Sequence, residues 1–405
     1  MRIFADMLNI YTLTSALHDE AAVAAVTRDF LGSIGIEYSI IDDWSYYGSG
    51  ALSIIYVRTG GTEGIFKPLL PQILKATSQP VYLLTSGKSN SLAASMEILS
   101  FLRQQGVKGE IIHGKPDYIR KRLLEIETIE KARKSLSGKH FGVVGKPSDW
   151  LIASNADHYA VSAKLGITIK DIPMQELLAE IDKLPEDPVG ARLACGEALF
   201  DAAQKVKDAA PGAYRIYMAL KSLVEKYSLD GLTLRCFDLL GAVRNTGCLA
   251  LARLNSEGIV ATCEGDVPAM LSMAISRALT GVSGFQANPS SIDPETGEVL
   301  FAHCTVPLDM VTRYAFDTHF ESGIGMGIRG HVQEGPVTVF KVSGDLSRHV
   351  ALEGTLLRNQ AKPDLCRTQV VLHLADTSYF LTDPIGNHHI IIPGHWKSSL
   401  DALLA

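Results

Sequence analysis

The sequence has no long hydrophobic run and no strong excess of charge of one sign. No stretch approaches the ~20 consecutive apolar residues that a membrane helix needs. The first residues, MRIFADMLNI, carry an acidic side chain and do not resemble a signal peptide. Lys and Arg number 38 against 44 Asp and Glu, a net charge of −6, which gives no electrostatic case for nucleic acid or an anionic membrane. We therefore expect a cytoplasmic protein with no nucleic-acid or membrane partner.

Cysteine is scarce and is never spaced as CxxC. Six cysteines occur, and their spacing excludes a zinc ribbon or a thioredoxin-type motif. We expect them to be reduced and mostly buried. The 405 residues, 46% hydrophobic and 20% charged, predict two to three globular domains with little disorder.

The chain up to residue 137 alternates strand-like and helix-like segments. Such alternation predicts βαβ units and a doubly wound parallel sheet. The strand-like segments are RIFADML, IEYSII, ALSIIYV, VYLLT and EIIHG.

The same pattern restarts at Gly138 and continues to about residue 297, which predicts a second α/β domain. Its strand-like segments are KHFGVVG, ITIKDI, LTLRCFDLL and GIVATCEGD, and VPAMLSMAISRAL predicts a helix after the last of them.

Residues 298–405 are strand-rich and punctuated by Gly, Pro, Asn and Asp, which predicts an antiparallel β-barrel or sandwich. A short helix, HWKSSLDALLA, ends the chain. The predicted strands are EVLFAHCTV, GPVTVFKVSG, HVALEGTLLRN, CRTQVVLHL, SYFLTD and NHHIIIPG.

Two kinds of glycine-rich segment are candidate ligand-binding loops. The segment from Gly323 to Gly330 contains a formal GxGxxG, but it precedes a strand in the β-rich region, so we interpret it as a loop without a dinucleotide. His319, Glu321, His331 and Glu334 around it could form a second polar rim, but we interpret them as part of a solvated loop. TGGTEG and SGKSNS follow parallel strands and either bind ligand oxygens or simply make tight turns.

The strongest local signal is Cys263-Glu264-Gly265-Asp266, which lies between an apolar strand and a helix. Two carboxylates this close repel unless a cation, a proton or a base neutralises one of them. Asp266 is also a good N-cap for the helix that follows. We expect Asp266 to cap and Glu264 to be the functional carboxylate, with Cys263 pointing away.

Three late histidines are candidate partners of this motif: His303 in LFAHCTV, and His388 and His389 in GNHHIIIPG. Because neighbours on a strand face opposite sides, only one of the last two can enter a given site. A carboxylate with imidazoles suits a divalent Lewis acid, although a lone histidine in an apolar strand is more often a core residue.

Together the layout and these residues resemble the L-fucose and L-arabinose isomerase family. The resemblance rests on Cys263 to Asp266, on Ala302-His303 and on Gly386-Asn387-His388-His389. It implies two α/β domains with a C-terminal barrel-like domain, a metal held by Glu264 with His388 or His389 and with His303, and acid–base catalysis by Glu264. It also implies a homo-oligomer, a trimer or hexamer, in which a neighbouring subunit completes each site.

One departure from that family concerns its second carboxylate. The corresponding stretch, residues 284–288 (GFQAN), has no acid. Asn288 can offer a neutral oxygen to a hard cation, and Asp266 or Asp293 can substitute as the second acid.

These observations predict a metal-dependent aldose–ketose isomerase that acts on a sugar through an enediol. Glu264 and Asp266 are the catalytic candidates, and Glu264, His303, His388, His389 and Asn288 are the candidate ligands of Mn²⁺ or Mg²⁺. The alternative is a sugar-binding or regulatory protein on the same fold without catalysis. A nucleotide-dependent oxidoreductase is disfavoured because no glycine fingerprint follows an early strand.

Overall fold

The computed structural model describes residues 8–50, 52–77 and 79–404. The predicted strand RIFADML lies outside the described residues except for its last position. The chain divides into two compact units, residues 1–130 and 131–405.

The first unit is built on a five-stranded parallel sheet. Its strands are β1 (Leu8–Leu13), β2 (Tyr38–Ile40), β3 (Ser53–Val57), β4 (Val81–Thr85) and β5 (Gly109–Ile112). Their order in the sheet is β2-β1-β3-β4-β5. Every residue of β3 and β4 is buried, as expected for parallel strands that are covered on both faces.

Helices connect these strands. They are α1 (Glu20–Ile34), α2 (Glu63–Phe66), α3 (Leu70–Ala76), α4 (Ser91–Gln104) and α5 (Pro116–Leu136), the last of which carries the chain into the second unit.

The second unit begins with a four-stranded parallel sheet. Its strands are β6 (His140–Val144), β7 (Thr168–Ile172), β8 (Gly231–Leu234) and β9 (Val260–Cys263). They lie in the order β7-β6-β8-β9, so β8 and β9 are neighbours, with Leu234 opposite Cys263. The helices of this region are α6 (His158–Leu165), α7 (Met174–Lys183), α8 (Pro188–Cys195), α9 (Gln204–Tyr227), α10 (Asp238–Ala242), α11 (Cys248–Ser256) and α12 (Val267–Thr280).

A closed antiparallel barrel completes the second unit. Its first two strands are β10 (Phe285–Asp293) and β11 (Glu298–His303). The others are β14 (Gly335–Val342), β15 (His349–Gln360), β16 (Thr368–Leu374) and β17 (His389–Pro393). Their order around the barrel is β10-β11-β16-β15-β14-β17. A hairpin of β12 (Val311–Asp317) and β13 (Gly327–Val332) forms a separate two-stranded sheet.

The predicted fold class is confirmed: two parallel α/β sheets are followed by an antiparallel barrel. The barrel begins at Phe285, N-terminal to the expected boundary at residue 297. The strand predicted for SYFLTD is wrong, because Ser378–Thr382 forms the short helix α13, and α14 (Lys397–Leu404) is the expected terminal helix. Among the described helices, none has the length and apolar character needed to cross a membrane.

Candidate metal centre

The turn between β9 and α12 has two consecutive residues in the left-handed backbone region. Glu264 has φ of +66° and Gly265 has φ of +69°. A Cβ at Gly265 would lie 2.5 Å from the carbonyl oxygen of Lys146, so only glycine fits there. A glutamate held at positive φ stores backbone strain, which is common at functional sites. The turn therefore fixes the Glu264 side chain at the carboxyl end of the second parallel sheet.

Asp266 caps α12, as the sequence predicted, and it also bonds to two other side chains. Its Oδ1 accepts the Ala269 amide at 2.8 Å. Its Oδ2 accepts His388 Nδ1 at 2.8 Å and Lys341 Nζ at 3.4 Å. Asp266 and Lys341 are both 0% exposed, so each carries the counter-charge that the other needs in the interior.

Glu264, His303 and His388 come together as a potential metal-binding group. One ligand atom from each residue lies within 4.8 Å of the others. The rings of His303 and His388 meet edge to face with centroids 5.4 Å apart. Glu264 comes from the end of β9, His303 ends β11 and His388 precedes β17, so the group joins the second parallel sheet to the barrel.

Hydrogen bonds orient both imidazoles toward this group. The Nδ1 of His388 donates to Asp266, and its Nε2 lies 3.4 Å from Glu264 Oε1. That Nε2 is buried, and it forms no hydrogen bond with residues 8–50, 52–77 or 79–404. The Nδ1 of His303 is hydrogen-bonded with Thr305 Oγ1 at 2.8 Å. A second partner that fixes one ring nitrogen and leaves the other for the ion is typical of metal-binding histidines.

The pKa values of the three residues depend on one another. Burial alone would raise the pKa of Glu264, but the neighbouring His388 imidazolium, with help from His303 and Trp150, lowers it to about 2. Burial disfavours the charged form of His388, yet its hydrogen bond to Asp266 and the close carboxylates of Glu264 and Asp266 raise its pKa to about 9. Burial and the His388 charge lower the pKa of His303 to about 3.

These residues fit a divalent cation. A carboxylate and two imidazoles are ligands for first-row metals, and three protein ligands leave coordination positions open. No hydrogen bond from any residue that the structure describes reaches the buried Nε2 of His388, and a metal ion would supply a partner. Cys263 contributes no ligand, because its sulfur lies in the core, 2.8 Å from that of Cys236.

Of the other predicted ligands, His389 lies outside this group. His389 bonds through Nε2 to the Tyr379 hydroxyl and through Nδ1 to the Asn387 carbonyl. Asn288 is half-buried on β10 and pairs with Ala302 of β11. In the stretch that lacks the second carboxylate, Gln286 is 1% exposed and its Oε1 accepts the Cys263 amide at 2.8 Å, which holds the base of the turn. The two adjacent histidines thus diverge, as alternation along a strand requires.

An aromatic pair that the sequence did not single out lies beside Glu264. Trp150 Nε1 donates to Glu264 Oε2 at 2.6 Å, and its ring packs edge to face on Phe237 at 4.9 Å. Trp150 remains 52% exposed, an unusual position for a side chain anchored to a buried carboxylate. An exposed tryptophan after a parallel strand was the available signal.

The glycine-rich segment ends the loop between β12 and β13 and continues into β13, and the same loop carries His319. His319 is 8% exposed, and its ring packs edge to face on Phe237 at 5.6 Å. Glu321 is exposed as a whole residue, but partial desolvation of its carboxyl and the charge of Glu264 raise its pKa. The expectation that this loop is merely solvated is therefore wrong for His319.

In the first unit, the loops TGGTEG and SGKSNS lie side by side. The Gly60 amide donates to the Ser89 carbonyl at 2.7 Å. Thr59 Oγ1 accepts the Ser15 amide, and Thr62 Oγ1 donates to the Thr59 carbonyl. The hydroxyls of Thr59 and Thr62 are thus already engaged in hydrogen bonds within the protein. This favours the interpretation that these loops make tight turns.

None of the known protein-family models matches the chain. It is similar to two proteins named sulfoquinovose isomerase, from Priestia aryabhattai and Priestia megaterium, each 25% identical over 359 residues, which cover 83% of this chain and 79% of the relative. A third of that name, from a Clostridium species, is 26% identical over 201 residues, 49% of this chain and 42% of the relative.

All three relatives bear the name of a sugar isomerase, which agrees with the class predicted from the sequence. None bears the name of a fucose or arabinose isomerase, so the closer resemblance stays a prediction.

Proposed function

We propose that the chain is a metal-dependent aldose–ketose isomerase that acts on sulfoquinovose or a related aldose. The observation that carries this proposal is the convergence of Glu264, His303 and His388 around the buried Nε2 of His388, to which no described residue is hydrogen-bonded. The names of the relatives support the same reaction class and suggest the sugar. The grouping of these three side chains thus supports the function that the resemblance implies.

Glu264, His303 and His388 would hold the metal, and Mn²⁺ suits the two imidazoles better than Mg²⁺, which prefers oxygen ligands. A cation held there would supply Lewis-acid stabilisation of the negative charge that develops on the carbonyl oxygen of the sugar. Asp266 orients His388, and the strained turn at Glu264 and Gly265 fixes the carboxylate before substrate arrives. Groups that are oriented in advance need little rearrangement during the reaction.

Trp150 would present its exposed ring to the sugar. Its indole N–H is used by Glu264, so the ring is held in place while its face remains accessible. A fixed aromatic face beside polar ligands is typical of sites that bind amphipathic small molecules.

The test is ketose formation from sulfoquinovose by the full chain, first stripped with EDTA and then supplied with Mn²⁺. We expect turnover to disappear on stripping, to return with Mn²⁺, and to be lost in E264Q. The matched control is E334Q, an exposed glutamate outside the metal-binding group, which should behave like wild type. Turnover by stripped protein, or by E264Q at the wild-type rate, would contradict the proposal, and sugar binding without turnover would favour the non-catalytic alternative.

A further inference from the structure

Two cysteine thiols face each other next to the turn that carries Glu264. The Sγ atoms of Cys236 and Cys263 lie 2.8 Å apart, close enough to share an S–H···S hydrogen bond. All six cysteines of the chain are free, so this pair is a dithiol. Neither sulfur belongs to the metal-binding group. The pair therefore offers a chemistry that the proposed metal centre does not account for.

The fold places both thiols at the ends of neighbouring strands. Cys263 is the last residue of β9, and it lies opposite Leu234, the last residue of β8. Cys236 follows Leu234 by two residues, and all three side chains belong to one buried apolar cluster. The Gly265 amide donates to the Leu234 carbonyl at 3.0 Å, which ties the two strand ends together. The second parallel sheet thus holds the two sulfurs side by side.

The burial of the pair decides which reagents reach it. Cys236 is 7% exposed and Cys263 is 3% exposed, so bulky thiols and disulfides are kept out. Hydrogen peroxide is nearly as small as water, and Cys236 is the sulfur that it meets first. A sulfenic acid condenses to a disulfide when a second thiol lies close by, whereas an isolated one is open to irreversible oxidation. The second thiol at 2.8 Å makes the disulfide the expected product.

We propose that Cys236 and Cys263 are a modification site at which a hydroperoxide reversibly forms a disulfide. Cys236 Sγ attacks one oxygen of hydrogen peroxide, the O–O bond breaks, and the products are a sulfenic acid and one water molecule. Cys263 Sγ then attacks the sulfenic sulfur and forms the S–S bond, and the hydroxyl leaves with the thiol proton as a second water molecule. The two sulfurs together lose two electrons, which the two peroxide oxygens gain.

A disulfide at this position would disturb the metal-binding group through two neighbours. Its formation draws the sulfurs from 2.8 Å to about 2 Å, and Cys263 is bonded directly to Glu264. On the other strand, Phe237 follows Cys236 and packs on Trp150, whose indole donates to Glu264. We expect the Glu264 carboxylate to move and Mn²⁺ to bind less tightly when the pair is oxidised. This consequence rests on the proposed function, whereas formation of the bond does not.

Peptide mapping of the full chain detects the bond. Reduced, EDTA-stripped protein is treated with hydrogen peroxide, its remaining thiols are blocked with iodoacetamide in denaturant, and it is digested with trypsin. Cleavage after Arg and Lys places the two cysteines in separate peptides, residues 236–244 and 254–277, and leaves Cys248 in a third. We expect the first two peptides to be linked, with a mass lower than their sum by two hydrogen atoms. Dithiothreitol should separate them again.

Calorimetric titration with Mn²⁺, after the peroxide is removed, measures the effect on the metal centre. We expect the Kd of oxidised wild type to rise about 10- to 100-fold, as when the support of a ligand is lost, and to recover after reduction. C236S should form no linked peptide and should keep its Kd after peroxide. C366S is the matched control, because Cys366 is a half-buried cysteine outside the pair, and it should respond as wild type does.

The possible failures are distinguishable. Absence of the linked peptides from peroxide-treated wild type, or linkage of either one to the peptide of Cys248, overturns the modification site. Linked peptides with an unchanged Mn²⁺ Kd overturn the effect on the metal centre. A reduced wild type that binds no Mn²⁺ overturns the proposed function, whereas linked peptides in that protein still support the modification site.

Discussion

His388 and Asp266 share a hydrogen bond of 2.8 Å between Nδ1 and Oδ2, while the opposite nitrogen of the ring lies 3.4 Å from Glu264. Asp266 thus selects which nitrogen of His388 is available to a metal ion. The same carboxylate caps α12, so the orientation of His388 is coupled to the start of that helix.

Replacement of Asp266 by Asn should weaken Mn²⁺ binding about 10- to 100-fold, because the amide no longer accepts the His388 proton with a full charge. Calorimetric titration of the stripped protein with Mn²⁺ measures the effect. D157N is the matched control, since Asp157 caps α6 through the Ala160 amide and lies outside the metal-binding group. Equal loss of affinity in both variants would show that capping, and not the bond to His388, accounts for it.

Replacement of Lys341 by Met should destabilise the protein by up to about 3–5 kcal/mol, because it removes one of the two cations, Lys341 and protonated His388, that face the buried charge of Asp266. Thermal unfolding followed by circular dichroism compares the variants. K397M removes an exposed lysine that pairs with Asp401 on α14, and it should cost no more than about 1 kcal/mol. The double variant D266N/K341M should recover part of the loss, and a double variant less stable than K341M would contradict the pairing.

Metal affinity should rise with pH up to about 9, the value to which Asp266 and Glu264 raise the pKa of His388 against the effect of burial. At neutral pH the ring carries a proton that the metal must displace, so affinity should fall about tenfold for each pH unit below that pKa. Above it the ring is already neutral and affinity should level off.

Calorimetry in buffers of different ionisation enthalpy counts the protons released. We expect release of about one proton per Mn²⁺ at neutral pH. An affinity independent of pH over this range, with no proton release, would show that His388 is not a ligand.

Replacement of Gly265 by Ala should abolish Mn²⁺ binding and lower the melting temperature, because the new Cβ would meet the Lys146 carbonyl and the Pro147 backbone. G281A separates the steric clash from the backbone strain, because Gly281 has φ of +81° but nothing within 4 Å of an added Cβ. G281A should therefore cost only about 1–2 kcal/mol and keep metal binding. Matching effects on Mn²⁺ affinity would mean that the turn at Glu264 does not require this close approach.

Much of the architecture could be predicted because continuous apolar runs and alternating patterns report burial directly. Segments such as ALSIIYV and GPVTVFKVSG match β3 and β14. The helix at Ser378–Thr382 was missed because its short aromatic sequence has the composition of a strand, and five residues are too few to show helical periodicity.

The core of the site could also be predicted, since Glu264, His303 and His388 each lie at a strand end or just before a strand. The choice between His388 and His389 could not, because it depends on which of two adjacent residues faces Asp266. The partners of Trp150 and His319 could not be predicted for a different reason. Their loops are irregular, and the contacts of both side chains with Phe237, and of Trp150 with Glu264, join residues far apart in the sequence.

The central claim is that Glu264, His303 and His388 together hold one divalent ion. An anomalous difference map from crystals soaked in Mn²⁺ tests it most directly. The account predicts a single strong peak at bonding distance from a Glu264 oxygen and from the Nε2 atoms of both histidines. A peak at other residues, or none at these three side chains under saturating Mn²⁺, would contradict it.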